Sequence, residues 1–324
     1  MISQLTDRHM TASRTQRWAR ACLLVVTLCV HGLCAPGFAK PPPTAPAGTR
    51  QHQVQVPHLG QLRYLVHLPP GGLPAHTKVP LVVLLHGLGG HPESWLVDAE
   101  IGAHLDAAVE AKRLPPCLVV LPQGDSGYWA DWIDGEHPWA SWLADGLLAD
   151  VRARYPVRTD PAGVAIVGAS MGGFGALSAA LQHPDLFGFA VSLSGTDVEL
   201  ATQAQPHRQT YTRVWGDPIR GDLLRRVNPN QLVCGGAGRT SQQFLLGWGS
   251  REPAKFAKGG ARVARAMRAR RLDVHVRTVP GKGHGWRSAW APLQGWWIGA
   301  LGRWLRQHPA RHAVKPPAGQ PRAP

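Results

Sequence analysis

The stretch GASMG at 168–172 sets a serine between two glycines, directly after the apolar run GVAIV. A serine hydroxyl is well presented as a nucleophile on a sharp strand-to-helix turn, where backbones approach so closely that the flanking positions must be nearly side-chain-free. The following GFGALSAALQ carries Ala and Leu at helical spacing, so strand, turn and helix are expected in that order. Ser170 is the expected nucleophile. The backbone N–H of Met171, at the start of the helix, is the first expected donor to an oxyanion. A second donor has to come from another loop. HGLGGHPESW at 86–95 follows the apolar run PLVVLL, and its glycines permit close approach, so the Leu88 N–H is the expected second donor. His86 is read as a brace for that loop through its ring nitrogens.

Such a serine needs a general base. DVHVRTVPGKGHGW ends in His284 among Gly281, Gly283 and Gly285, on a loop after the last expected strand, where an imidazole can be carried to Ser170. The chain has 16 His, but His275 falls inside a strand and His308 and His312 fall in the C-terminal tail. QQFLLGWGSREP places Glu252 just beyond the preceding strand, where a carboxylate would orient His284 and stabilise its imidazolium. Asp197, after FAVSLSG, is the alternative acid. Asp273 precedes its strand and belongs to the wrong end of the sheet, while Asp185 and Asp217 read as turn or cap residues.

The elements that must position these groups are legible as an alternating series. QHQVQV and QLRYLVHL alternate in polarity as half-buried antiparallel strands do. PLVVLL, CLVVL, GVAIV, FAVSL, QFLLGW and DVHVRTV are short apolar runs of the kind buried in parallel sheets. Helix-length stretches, among them 97–113, 138–154, 172–183 and 259–271, separate most of them. The expected class is α/β, a doubly wound, mostly parallel sheet with antiparallel N-terminal strands, whose ligands bind beyond the strand C-termini. The longer, irregular stretch 198–242 is expected to form a cap-like insertion or pocket wall.

Both ends of the chain are compositionally distinct. Residues 1–39 hold four Arg before the run ACLLVVTLCV and end in GFA, the pattern of a cleavable signal peptide cut after Ala39; an uncleaved anchor is the alternative. A Pro-rich linker at 40–50 precedes the catalytic domain expected over 51–306, and a basic, Pro-rich, disordered tail is expected over 307–324. A periplasmic or secreted location follows. Cleavage would leave Cys117 and Cys234, which export permits to pair without requiring it. The formal net charge is +15. Its densest cluster, ARVARAMRARR, reads as the solvated face of a helix carrying Arg262, Arg265, Arg268 and Arg271, with Val263, Ala266 and Met267 toward a core. No nucleic-acid-binding motif accompanies the charge, so nucleic acid is not an expected partner; loose contact with an anionic cell envelope suits it better.

From about residue 51 to 305 the chain resembles the putative-esterase family of α/β-hydrolases, which includes esterase D, feruloyl and acetylxylan esterases and the antigen 85 mycolyltransferases. The stretches that carry the resemblance are PLVVLLHGLGG, LPQGDSGYWADW, GASMGGFGALSAALQHPDLFG, GWGSREP and PGKGHGW. It implies the α/β-hydrolase fold, a nucleophile at Ser170, a base at His284 and an oxyanion donor at Leu88. Many members carry Asp where this chain has Glu252. YWADW at 128–132 is expected near the mouth of the site with Trp129, Asp131 and Trp132, and Trp132 and Trp286 are the expected pocket residues, there to hold a sugar, an aryl group or an acyl chain. No metal-ligand spacing and no phosphate loop occurs, so no cofactor and no metal are expected. The expected activity is hydrolysis of a small-molecule or carbohydrate ester. An acyltransferase with the same triad is the alternative, and a non-catalytic binding protein would be expected to lack a triad member.

Overall fold

The computed structural model describes residues 48–195, 198 and 208–310. The expected leader and Asp197 lie outside them, as does all but the first few residues of the expected tail. Eight strands form one sheet: β1 (Thr49–Val56), β2 (Gly60–His67), β3 (Leu81–Leu85), β4 (Leu118–Pro122), β5 (Val164–Ala169), β6 (Phe189–Leu193), β7 (Gln243–Gly249) and β8 (Asp273–Val279). Their spatial order is β1-β2-β4-β3-β5-β6-β7-β8. The β1–β2 and β2–β4 pairs are antiparallel and every other pair is parallel. This is the α/β architecture expected from the alternating runs.

Burial on two faces explains why the central strands read as unbroken apolar runs. In β5, Val164 and Ile166 join one core, while Ala165 and Val167 join the other. The first core is closed by Trp142, Leu147 and Val151, by the helix after β5, and by Val263 and Met267. The second is closed by Trp95, Ile101, Leu105, Trp297 and Leu301.

Among the described residues the α-helices of four residues or more are α1 (Ser94–Val97), α2 (Ile101–Glu110), α3 (Leu148–Arg154), α4 (Met171–Gln182), α5 (Arg208–Trp215), α6 (Gly221–Val227), α7 (Pro229–Cys234), α8 (Ala254–Ala269) and α9 (Ala291–Gln307). The helix expected over 97–113 is broken in two at Glu100, whose φ of 49° lies in the left-handed region. The one expected over 138–154 passes through a π-helical segment, Trp142–Leu147, before α3. In α8, Val263 and Met267 are buried, Ala266 is half-buried, and Arg265 and Arg268 are exposed, which is the amphipathic division expected for that stretch.

Two expectations are corrected, and the pairing of two cysteines, left open by the sequence, is settled. β8 is not a buried strand: as the sheet's edge it has no fully buried residue, because Asp273, His275 and Arg277 alternate outward along it. His308 does not hang in a tail but closes α9, its Nδ1 2.9 Å from the Trp304 carbonyl. Cys117 and Cys234 do not pair: the first is buried and the second exposed. Desolvation pushes the Cys117 thiol up to about 12, which keeps it protonated and inert.

Candidate active site

The serine stands where the glycine spacing placed it. Strand β5 ends at Ala169, α4 begins at Met171, and Ser170 between them has φ 55° and ψ −119°. A non-glycine residue in that region costs of order 1–3 kcal/mol and persists only where its surroundings impose it. Here the surroundings are backbones. A Cβ on Gly168 would lie 1.9 Å from the Gly172 carbonyl oxygen, and one on Gly172 would lie 2.2 Å from that of Leu85. At the next residue, Gly195 after β6 packs on Gly173 so closely that a Cβ on Gly195 would approach the Gly173 carbonyl carbon to 2.1 Å. The four glycines around the hydroxyl are therefore close-approach positions.

His284 reaches Ser170 from the loop after β8. Gly281 and Gly285 both take positive φ, 71° and 124°, and turn that loop back over the sheet end. His284 Nε2 lies 2.9 Å from Ser170 Oγ, and its Nδ1 lies 3.1 Å from Glu252 Oε2. Since an ionised carboxylate only accepts, Nδ1 carries the proton and Nε2 is free to accept the serine hydroxyl. The imidazole is held from two sides. Phe256 stacks on it at 4.3 Å, and Trp290 meets it edge-on at 4.8 Å.

Glu252 sits in the turn beyond β7 with a side chain wholly out of solvent. Its Oε1 accepts the Gly249 N–H at 2.7 Å and the Ser194 hydroxyl at 2.6 Å. A buried carboxylate is tolerable only with such donors.

Leu88 and Met171 both line the pocket beside Ser170. The Leu88 loop lies directly against the strand-to-helix elbow that carries Ser170: a Cβ on Gly87 would be 3.2 Å from the Ala169 carbonyl and 3.4 Å from Ser170 Cβ. His86 braces this loop as expected. Its Nδ1–H donates to the Gly87 carbonyl at 2.9 Å, and its Nε2 accepts the Gly124 N–H at 3.1 Å. Burial holds its pKa below the usual imidazole range, so the ring stays neutral and can accept at Nε2.

The pocket over Ser170 has a volume of about 810 Å³. Tyr128, Phe174 and Tyr211 form one aromatic wall, and Phe256, Trp286 and Trp290 another. Val198 and Tyr211 come from the 198–242 stretch, which thus contributes to the wall. Trp286 is placed as expected, against Trp95 at 4.5 Å and Trp290 at 4.7 Å. Trp132 is not: it is 7% exposed, stacks on His137 at 4.1 Å and does not line the pocket. Asp131 turns the chain there by accepting the Ala140 and Ser141 N–H groups, which folds the next residue inward. Trp129 is likewise buried beneath the loops, donating to the His86 carbonyl at 3.1 Å. The residue that does face the pocket from this segment is Tyr128, set by two successive left-handed residues, Tyr128 at φ 61° and Trp129 at φ 55°. Ser194, Phe256 and Trp290 are further site residues that carry no motif. Trp290 does lie in the same HGWRSAW stretch as Trp286. Among the described residues no group of three or more His, Cys, Asp or Glu side chains is placed to hold a metal ion.

Sheet order, elbow and the late histidine together define an α/β-hydrolase. Residues 60–307 match the family described as "Putative esterase", and the chain belongs to that family. It is 26% identical over 229 residues to dipeptidyl aminopeptidase BIII of Pseudoxanthomonas mexicana, covering 65% of this chain but only 31% of that protein, so it spans about a third of that relative. It is 29% identical to "Putative esterase NocK" of Nocardia uniformis subsp. tsuyamanensis over 81% of each chain. A solved ferulic acid esterase superposes with a TM-score of 0.66 over 79% of this chain and 97% of its own, at 18% identity, a likeness of fold.

Proposed function

We propose that this chain is a serine esterase that hydrolyses small carboxylic esters through an acyl-enzyme on Ser170. The observation that carries this reading is the unbroken chain from Ser170 Oγ through His284 to Glu252, at 2.9 and 3.1 Å. Ser170 Oγ attacks the ester carbonyl while His284 Nε2 takes its proton. The buried Glu252 carboxylate stabilises the imidazolium, and the N–H groups of Leu88 and Met171 receive the oxyanion. Collapse passes that proton to the departing alcohol, and water then repeats the sequence to release the acid. The aromatic walls suit an ester with an apolar or aryl part, in keeping with the structural neighbour named as a ferulic acid esterase. The acyltransferase reading is favoured by one feature: Phe256, Trp286 and Trp290 crowd the His284 side of the pocket, where a dry shelf would favour an alcohol over water.

Export through the first 39 residues belongs to the same proposal. Its test is the intact mass of the protein recovered from the periplasm or medium after brief exposure to an activated ester. The chain should begin near Lys40 and carry one acyl group on Ser170, lost in plain buffer fast enough to support turnover. Recovery of the full-length chain in the cytoplasm sinks the export reading. An adduct that persists in buffer and leaves only on addition of a sugar or glycerol sinks the hydrolase in favour of the transferase.

A further inference from the structure

Behind Glu252 lies a line of polar groups that proton transfer between Ser170 and His284 does not itself require. Trp290 Nε1–H donates to Ser194 Oγ at 2.7 Å, and Ser194 Oγ–H donates to Glu252 Oε1 at 2.6 Å. Ser194 is 1% exposed and Trp290 5%, so water does not compete for these bonds. Their direction is fixed by chemistry. An indole N–H can only donate, so Ser194 Oγ accepts there and its single proton is left for Glu252. With the Gly249 N–H, Oε1 then takes two donors while Oε2 takes His284. Ser194 is itself held: its φ is 54° at the end of β6, and its N–H donates to the Gly247 carbonyl at 2.7 Å. A glutamate has one more torsion to fix than an aspartate, and this tether fixes it.

The geometry points to Ser194 and Trp290 as positioning residues: the indole orients the Ser194 hydroxyl, and that hydroxyl holds Glu252 aimed at His284. The inference rests on the triad reading above. Ser194→Ala should lower kcat about tenfold to thirtyfold with KM within about twofold, because a charge-assisted bond to a buried carboxylate is lost. It should also move the acid limb of the kcat/KM profile to higher pH. The missing donor stabilised the unprotonated pair, so without it the pair takes its proton sooner. Trp290→Phe should act in the same direction more weakly. The double variant should be no worse than Ser194→Ala by more than about twofold, since the two groups act in series. Should Ser194→Ala fail to fold, Trp290→Phe alone gives the test. Wild-type kcat and profile in both, a loss of equal size at every pH, or fully additive losses overturns the proposal. Ser170→Ala run beside them separates the failures: an inactive Ser170→Ala with a neutral Ser194→Ala removes only the positioning role, whereas an active Ser170→Ala removes the triad reading and this one with it.

Discussion

Ester turnover in Ser170→Ala is expected to fall by at least about 10³-fold, and in His284→Ala by a similar factor, because members of such a triad act as a unit. The alanine variant isolates the chemistry well. It keeps the Cβ, so the strained turn at φ 55° is neither relieved nor worsened, and α4 should start at the same residue. What it deletes is the Oγ that lies 2.9 Å from His284 Nε2. Any residual rate comes from the Leu88 and Met171 donors acting on a water-attacked ester. A serine-directed phosphonate should label the wild-type chain once and Ser170→Ala not at all. Turnover within tenfold of wild type, or a label on another residue, would place the nucleophile elsewhere.

Glu252→Gln should cost about 10²–10⁴ in kcat, roughly 2.7–5.5 kcal/mol of barrier, with little change in KM. Loss of charge is half of the reason. The other half is a tautomer. Oε1 accepts from both Ser194 and Gly249, so the amide of a glutamine would place its oxygen there and turn its NH2 toward His284 Nδ1. Nδ1 would then have to accept, the ring proton would move to Nε2, and Nε2 could no longer take a proton from Ser170. Asp197→Asn should cost less than roughly tenfold, because the Glu252 carboxylate already lies against His284 Nδ1. If the ranking of the two substitutions is reversed, the acid comes from the end of β6.

What was legible in the sequence was whatever physics restricts to few residue types. The elbow declared itself because only glycine tolerates backbone at 1.9–2.2 Å from where a Cβ would stand. His284 and Glu252 were found by strand order, since loops at the C-terminal ends of parallel strands converge. Tryptophan carries no such restriction. Its apolar body suits a core as well as a pocket, so YWADW left unread which ring turned inward, and Trp132 went to the core. The left-handed pair Tyr128–Trp129 that decides this has no sequence signature. Ser194 was invisible for another reason: its partners stand 58 and 96 residues away, and a lone serine at a strand end forms no pattern. In DVHVRTV the alternation of Asp, His and Arg with Val274 and Val276 was itself the mark of an edge.

That edge has a consequence for how the molecule comes apart. A strand with no buried residue and a neighbour on one side only has the least to lose by detaching, so sub-global opening is expected to begin at β8. The strand is also the root of the loop that delivers His284. Amides of 273–285 should therefore exchange with deuterium ahead of those in β3 to β7, and on gentle heating catalysis should fade while the circular dichroism of the sheet is still intact. Coincident loss of both signals would mean that the whole sheet melts as one unit. The expected nucleophile directly follows β5, a strand buried along its whole length with a neighbour on either side, whereas its expected base hangs from an exposed edge strand, so loss of function is expected to follow the weaker of two unequal anchorages.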